Sequence, residues 1–208
     1  MTITPKRIAA LGLAVALGYP ASTAAADPPH TVEPSTMAPP LNPDFGPWTC
    51  FEAGTGVTCQ GYKDVTYSFP LELECDGKPV YVAGEEHSAT TRWHTLDGLA
   101  VKTELRAHWS EAFSLSPIGD GPTVVGAASL HRHYDYPVPG DRDSRVLTET
   151  GSSSLRSRTE GLLMHDAGTI TYVPGGDDEI VDEMHGIHDR FEPDIFPDDI
   201  ICSALTGR

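Results

Sequence analysis

"TTRWHTLDGLAVKTELRAHW", residues 90–109, decides the fold. An Asp97-Gly98 turn sits between two runs that alternate, which is the signature of a β-hairpin. In the second run Leu99, Val101, Leu105, Ala107 and Trp109 fall on one face, and Lys102, Glu104, Arg106 and His108 on the other. A period of two over that length predicts half-buried antiparallel strands.

The pattern continues in both directions. In "VTYSFPLELEC" the odd positions Val65, Tyr67, Phe69, Leu71, Leu73 and Cys75 are apolar. Turn signals recur at "DGKP", "IGDGP", "VPGD" and "PGGDD", and β-favourable runs lie between them, the last being "DIICSAL" at 199–205. No long stretch shows apolar residues at helical spacing. Eight or more short strands predict an all-β fold, a single antiparallel β-barrel or alternatively a β-sandwich. Closure favours the barrel because it removes exposed edges.

Cys50, Cys59, Cys75 and Cys202 imply two disulfides, with three possible connectivities and no Cys-x-x-Cys pair. "CFEAGTGVTC" reads as a hairpin across which Cys50 and Cys59 pair easily, leaving Cys75 for Cys202. That second bond would close a loop of over a hundred residues and contribute ~4 kcal/mol in the chain-entropy picture.

The N-terminal part is of another kind. "MTITPKR", the apolar "IAALGLAVALG" and the small-residue "YPASTAAA" have the three parts of a secretory signal peptide, with cleavage expected after Ala26. The apolar run is too short to span a bilayer, and no later one is longer. Residues 27–47 contain seven prolines and predict a disordered or polyproline-like leader. The β domain is then expected over 48–208 in a secreted protein without a membrane span.

Removing Lys6 and Arg7 from the 14 Lys and Arg leaves 12 against 30 Asp and Glu, a formal net charge of −18. Such a surface repels phosphate backbones and anionic lipids, which argues against nucleic-acid binding, whereas cations are natural partners. Asn42 and Gln60 are the only side-chain amides, a composition poor for sugar recognition. No Gly-x-Ser-x-Gly elbow is present, and oxidised cysteines offer no thiol nucleophile.

Two candidate sites follow. In "HRHYDYP", residues 131–137, alternation sets His131, His133 and Asp135 on one face, as strand-borne His-x-His metal sites require. His185 and His188 of "MHGIHD" are the candidate further ligands, so a divalent metal is a possible cofactor although none is required. The second candidate is a barrel interior lined by Trp93, Trp109, Tyr67 and Phe69, with Tyr134 among further aromatics.

The run "TRWHTLDGLAVKTELRAHW", then "GLLMHDAGTITY", "MHGIHD" and a near-terminal "CSAL" resembles a loosely defined group of secreted actinobacterial proteins. These are similar to small lipocalin-like or allene-oxide-cyclase-like barrels. The resemblance spans 62–205 and implies a fold and a compartment; it supplies no function and says nothing of oligomeric state. The expectation is a secreted protein binding an apolar or amphipathic small molecule in its cavity. A cyclase, isomerase or metal-dependent enzyme using that cavity, or an envelope protein with a filled core, is the alternative.

Overall fold

The computed structural model describes residues 30–117, 119–175, 178–193 and 196–208. The expected signal peptide, 1–26, lies outside them. Nine strands form one antiparallel sheet: β1 (Thr31–Val32), β2 (Thr49–Ala53), β3 (Gly56–Cys75), β4 (Lys78–Thr95), β5 (Ala100–Ser114), β6 (Thr123–Asp135), β7 (Val146–Ser157), β8 (Gly161–Gly175) and β9 (Asp178–His188). Order in the sheet is order in the chain, and the sheet is not closed. The all-β class therefore holds, and among the described residues the nine strands make an open ladder, in which β1 has two residues and β9 pairs with β8.

Alternation along β4 defines an inner face. Val80, Val82, Ser88, Thr90, Arg92 and His94 are all buried, and the ladder carries that face through Phe113 and Ala107 on β5 to Val124 and Ala128 on β6. A bulge at Trp93 and His94 resets the phase expected from sequence. Ala100 becomes the buried residue opposite His94, and Leu99 turns outward, 37 % exposed. Farther across, Gly151, Gly168 and Gly186 stand in one row over β7, β8 and β9 with φ of 149°, 150° and 116°. A Cβ there would meet the neighbouring strand's backbone at about 2 Å, so only glycine lets the strands bend along that line.

Among the described residues no second sheet covers the inner face, and its two ends are covered by residues 32–48 and by a helix after β9. "DIICSAL" belongs to a helix, α1 (Pro197–Thr206), and not to a strand. Pro197 in the first turn, Asp198 and Asp199 at its positive end and Gly207 in the left-handed conformation behind it outweigh the β-branched Ile200 and Ile201. Ile201, Ala204 and Leu205 of α1 pack on Cys75, Val80, Phe113, Val124, Leu155 and Met164. Cys202 is bonded to Cys75, which ties this cover to β3.

At the other end the proline-rich segment expected as a disordered leader is, from His30 on, laid against the sheet. Met37 is 4 % exposed and packs with Val57 and the Cys50–Cys59 disulfide, flanked by Val32, Leu41 and Trp48. Ala38 bridges the β4–β5 turn through Ala38 N to Gly98 O and Ala100 N to Ala38 O, both 2.8 Å. Proline's fixed backbone lowers the entropy lost in such an extended strap, so a few apolar anchors suffice.

Between the two apolar ends the inner face is polar and ion-paired. Lys63 meets Glu86 at 2.6 Å. Glu149 accepts from Arg132 Nε at 2.7 Å and Arg190 Nη2 at 2.8 Å, which pins the turn after β9 to the sheet. Burial pushes the Glu149 carboxyl up, but the two guanidiniums outweigh it and hold its pKa below the ordinary carboxylate value. No helix among the described residues is long and apolar enough to cross a membrane, and two disulfides are compatible with an extracellular location.

Two outcomes follow for stability. Replacing Cys75 and Cys202 together by serine should cost about 4 kcal/mol in urea unfolding, since the bond closes a 127-residue separation. Glu149→Gln removes the shared carboxylate of two guanidiniums, leaving Arg190 its longer contact to Asp166 at 3.5 Å, and should cost about 2 kcal/mol at neutral pH. The Glu149 contribution is complete above about pH 4.3, the unfolded carboxylate value, and is lost as pH falls through its depressed native value. The difference in melting temperature between wild type and E149Q should therefore narrow in strong acid.

Candidate ligand-binding site

The candidate metal ligands do not converge. His131 and His133 lie together on the outer face of β6, beside Glu104 of β5 at 3.8 Å each. His133 also contacts Asp135 at 3.0 Å. On β9, His185 faces outward and pairs with Glu183, whereas His188 is opposite Asp166 on the inner face and buried. Two strands separate β6 from β9, so the pairs stand about 14 Å apart at the usual strand spacing. Among the described residues no group of three or more His, Cys, Asp or Glu side chains is arranged to hold a metal.

The four aromatic candidates also divide. Tyr67 and Phe69 stack on the inner face of β3 with centroids 5.7 Å apart, and Tyr67 donates to Glu111 at 3.2 Å. Burial, then the Glu111 carboxylate, push the Tyr67 phenol up to about 12. Trp109 is on the same face, half-buried opposite Glu86. Trp93 is on the outer face beneath the Lys102 ammonium, 4.9 Å from its ring. These residues do not enclose one cavity. A hollow of about 460 Å³ near Tyr67 and Gly84 opens broadly to solvent and carries no basic side chain.

A second hollow, of about 270 Å³, lies beneath residues 40–48 and is partly open to solvent. Its floor is two neighbouring rows of the inner face: Arg92, Thr103 and Tyr134 in one, Thr90 and Leu105 in the next. Residues 40–48 roof it with Pro40, Phe45 and Trp48. Asn42 shapes that roof, its carbonyl accepting from the Trp48 indole at 2.8 Å and its side chain from Asp44 N at 3.0 Å. The roof comes so low over Gly61 that a Cβ there would stand 2.7 Å from Phe45 O and 3.0 Å from the Trp48 ring. The β6–β7 connection closes the side with Tyr136, Arg142 and Arg145, the last over the Tyr134 ring at 5.1 Å.

Arg92 is 7 % exposed. Its Nη1 donates to the Pro40 carbonyl at 3.3 Å, and the guanidinium lies 5.9 Å from the Tyr136 ring centroid. Burial lowers its pKa from the ordinary arginine value, and nearby Arg142 adds to this while Tyr136 opposes it. Arginine nevertheless stays charged at any physiological pH. Two residues along, burial and then Arg92 push His94 down to about 4, so it is neutral at pH 7.

Of the sequence candidates only Tyr134 lines this cavity. Arg92, Thr103 and Trp48 carried no sequence signal, because the roof that makes them a site comes from a segment whose composition reads as disorder. Comparison with protein-family models, curated proteins and solved structures finds no match to the chain.

His94 gives a measurable outcome. Between about pH 6.5 and about pH 4 the unfolded chain binds a proton here that the folded protein refuses. Stability should be full above that window and fall as pH drops through it. His94→Leu should flatten this limb of a melting-temperature profile.

Proposed function

We propose that the protein is a secreted small-molecule-binding protein whose curved open sheet serves as an incomplete barrel, with the ligand held between the sheet and the 40–48 roof. One observation carries the reading: a roofed hollow of about 270 Å³ combines aromatic side chains with buried polar groups on its floor. Mostly apolar walls with a few fixed polar groups are the common form of a small-ligand site. Phe45, Trp48, Tyr134 and Leu105 supply the apolar contact, and Arg92 and Thr103 the polar end. The volume suits one or two fused rings or a short chain, and the two disulfides favour work outside the cell.

Binding without chemistry is the simplest account of the site. Its lining holds no carboxylate, cysteine or histidine, so it offers no general base of ordinary strength. The test is a titration of the full chain with 2-naphthol, followed by NMR at the Trp48 indole N–H. A saturable shift is expected, and Leu105→Trp, which fills the cavity from its floor, should abolish it while leaving the protein folded. A Trp48 signal that does not move would overturn the proposal.

A further inference from the structure

Arg92 is a buried charge without an opposite charge among the described residues. Elsewhere on the inner face basic groups meet carboxylates, as Lys63 meets Glu86 and Arg132 meets Glu149. Among the described residues no carboxylate pairs with Arg92, whose Nε is shielded from solvent and makes no hydrogen bond. The Thr103 hydroxyl, its cross-strand partner and also part of the cavity, is buried and unpartnered as well. A guanidinium out of water with the Pro40 carbonyl and the Tyr136 side chain beside it, and no carboxylate, is unfavourable.

The surroundings sharpen the point. In a chain with 30 acidic and 14 basic residues, this lining has three arginines and no acid. Arg142 stands at the exposed rim, close enough to Arg92 for their charges to repel. A local positive site inside an acidic protein is the reverse of its composition, and an anion satisfies all of it together. The planar, multiply donating guanidinium also matches an oxyanion in geometry.

We infer that the cavity takes a small oxyanion on a compact apolar body, a carboxylate in its simplest form, with Arg92 as counter-ion, Thr103 as second donor and Arg142 guarding the entrance. This rests on the binding function proposed above and names the ligand class. The apolar body lies between Trp48, Phe45 and Tyr134, and the anion points to the floor. Sulfate and phosphate monoesters share the same head-group chemistry. A cationic ligand is excluded by the same three arginines.

The experiment titrates the full chain with 2-naphthoate and its neutral isostere 2-naphthamide, read at the Arg92 Nε–H and Trp48 indole N–H signals. Naphthoate should bind at least about ten-fold more tightly, as a charge-assisted bond to a buried group implies. Arg92→Met should remove about thirty-fold or more of the naphthoate affinity, with a smaller loss for naphthamide, which forfeits only a neutral acceptor's hydrogen bond, and should not lower the melting temperature of the free protein, since it removes an uncompensated charge. Arg142→Ala, an exposed change that preserves the fold, should weaken naphthoate alone by about three-fold, as loss of one partly screened charge would. Equal affinity for both probes, or a naphthoate preference that survives both substitutions, would overturn the inference while leaving the cavity a binding site. If Trp48 responds to neither probe nor to 2-naphthol, the binding function itself falls.

Discussion

One sheet has one inner face, and among the described residues nothing of comparable size lies across it. The chain meets that constraint by covering the face from its two ends with segments of its own. Helix α1 buries Ile201, Ala204 and Leu205 against one apolar patch, and residues 32–48 bury Met37 against the other. The first cover is tied to β3 by Cys75–Cys202, and the second packs against the Cys50–Cys59 bond between β2 and β3. The apolar core is thus divided, and everything between its halves must be stable while partly polar. That middle region is where the ion pairs are, and the cavity adjoins it.

The electrostatics of the inner face follow from its burial. A half-sheltered guanidinium or carboxylate is tolerated when its partner sits on the neighbouring strand, because ladder pairing brings same-face side chains together. Glu149 with Arg132, and Glu86 with Lys63, use that rule. Arg92 sits in the same ladder, but its cross-strand neighbour is Thr103, so the rule gives it a hydroxyl in place of a charge. The difference between scaffold and site on this face is a difference in what stands one strand away.

Local pattern was legible where local forces decide. The Asp97-Gly98 hairpin, the alternation in residues 65–75 and the proximity of Cys50 and Cys59 across a short turn all depend on neighbours in the chain. Three features were not legible, each for its own reason. The helix at 197–206 carried a strand-like Ile-Ile pair, yet its Pro-Asp-Asp start and glycine stop were present as signals. The ordering of residues 30–47 comes from contacts with Val57 and Gly98, which proline content cannot report. The distribution of histidines over two faces and two distant strands depends on strand order, and alternation gives faces only. The site was hidden for the second of these reasons, since its floor looks like ordinary strand until the roof is placed.

The agreement between strand order and chain order bears on assembly. From β1 to β9 each strand pairs with the one made just before it, so the sheet can zip up hairpin by hairpin with little loop closure at any step. The cover for the larger apolar patch is the last ten-residue element, and its cysteine waits 127 positions for its partner. During that interval a nearly complete sheet presents Val80, Phe113 and Val124 to solvent, along with the unpaired edge of β9. The hazardous species on the way to the native protein is thus a finished sheet without its helix, prone to self-association, and docking of α1 covers the patch that makes it so.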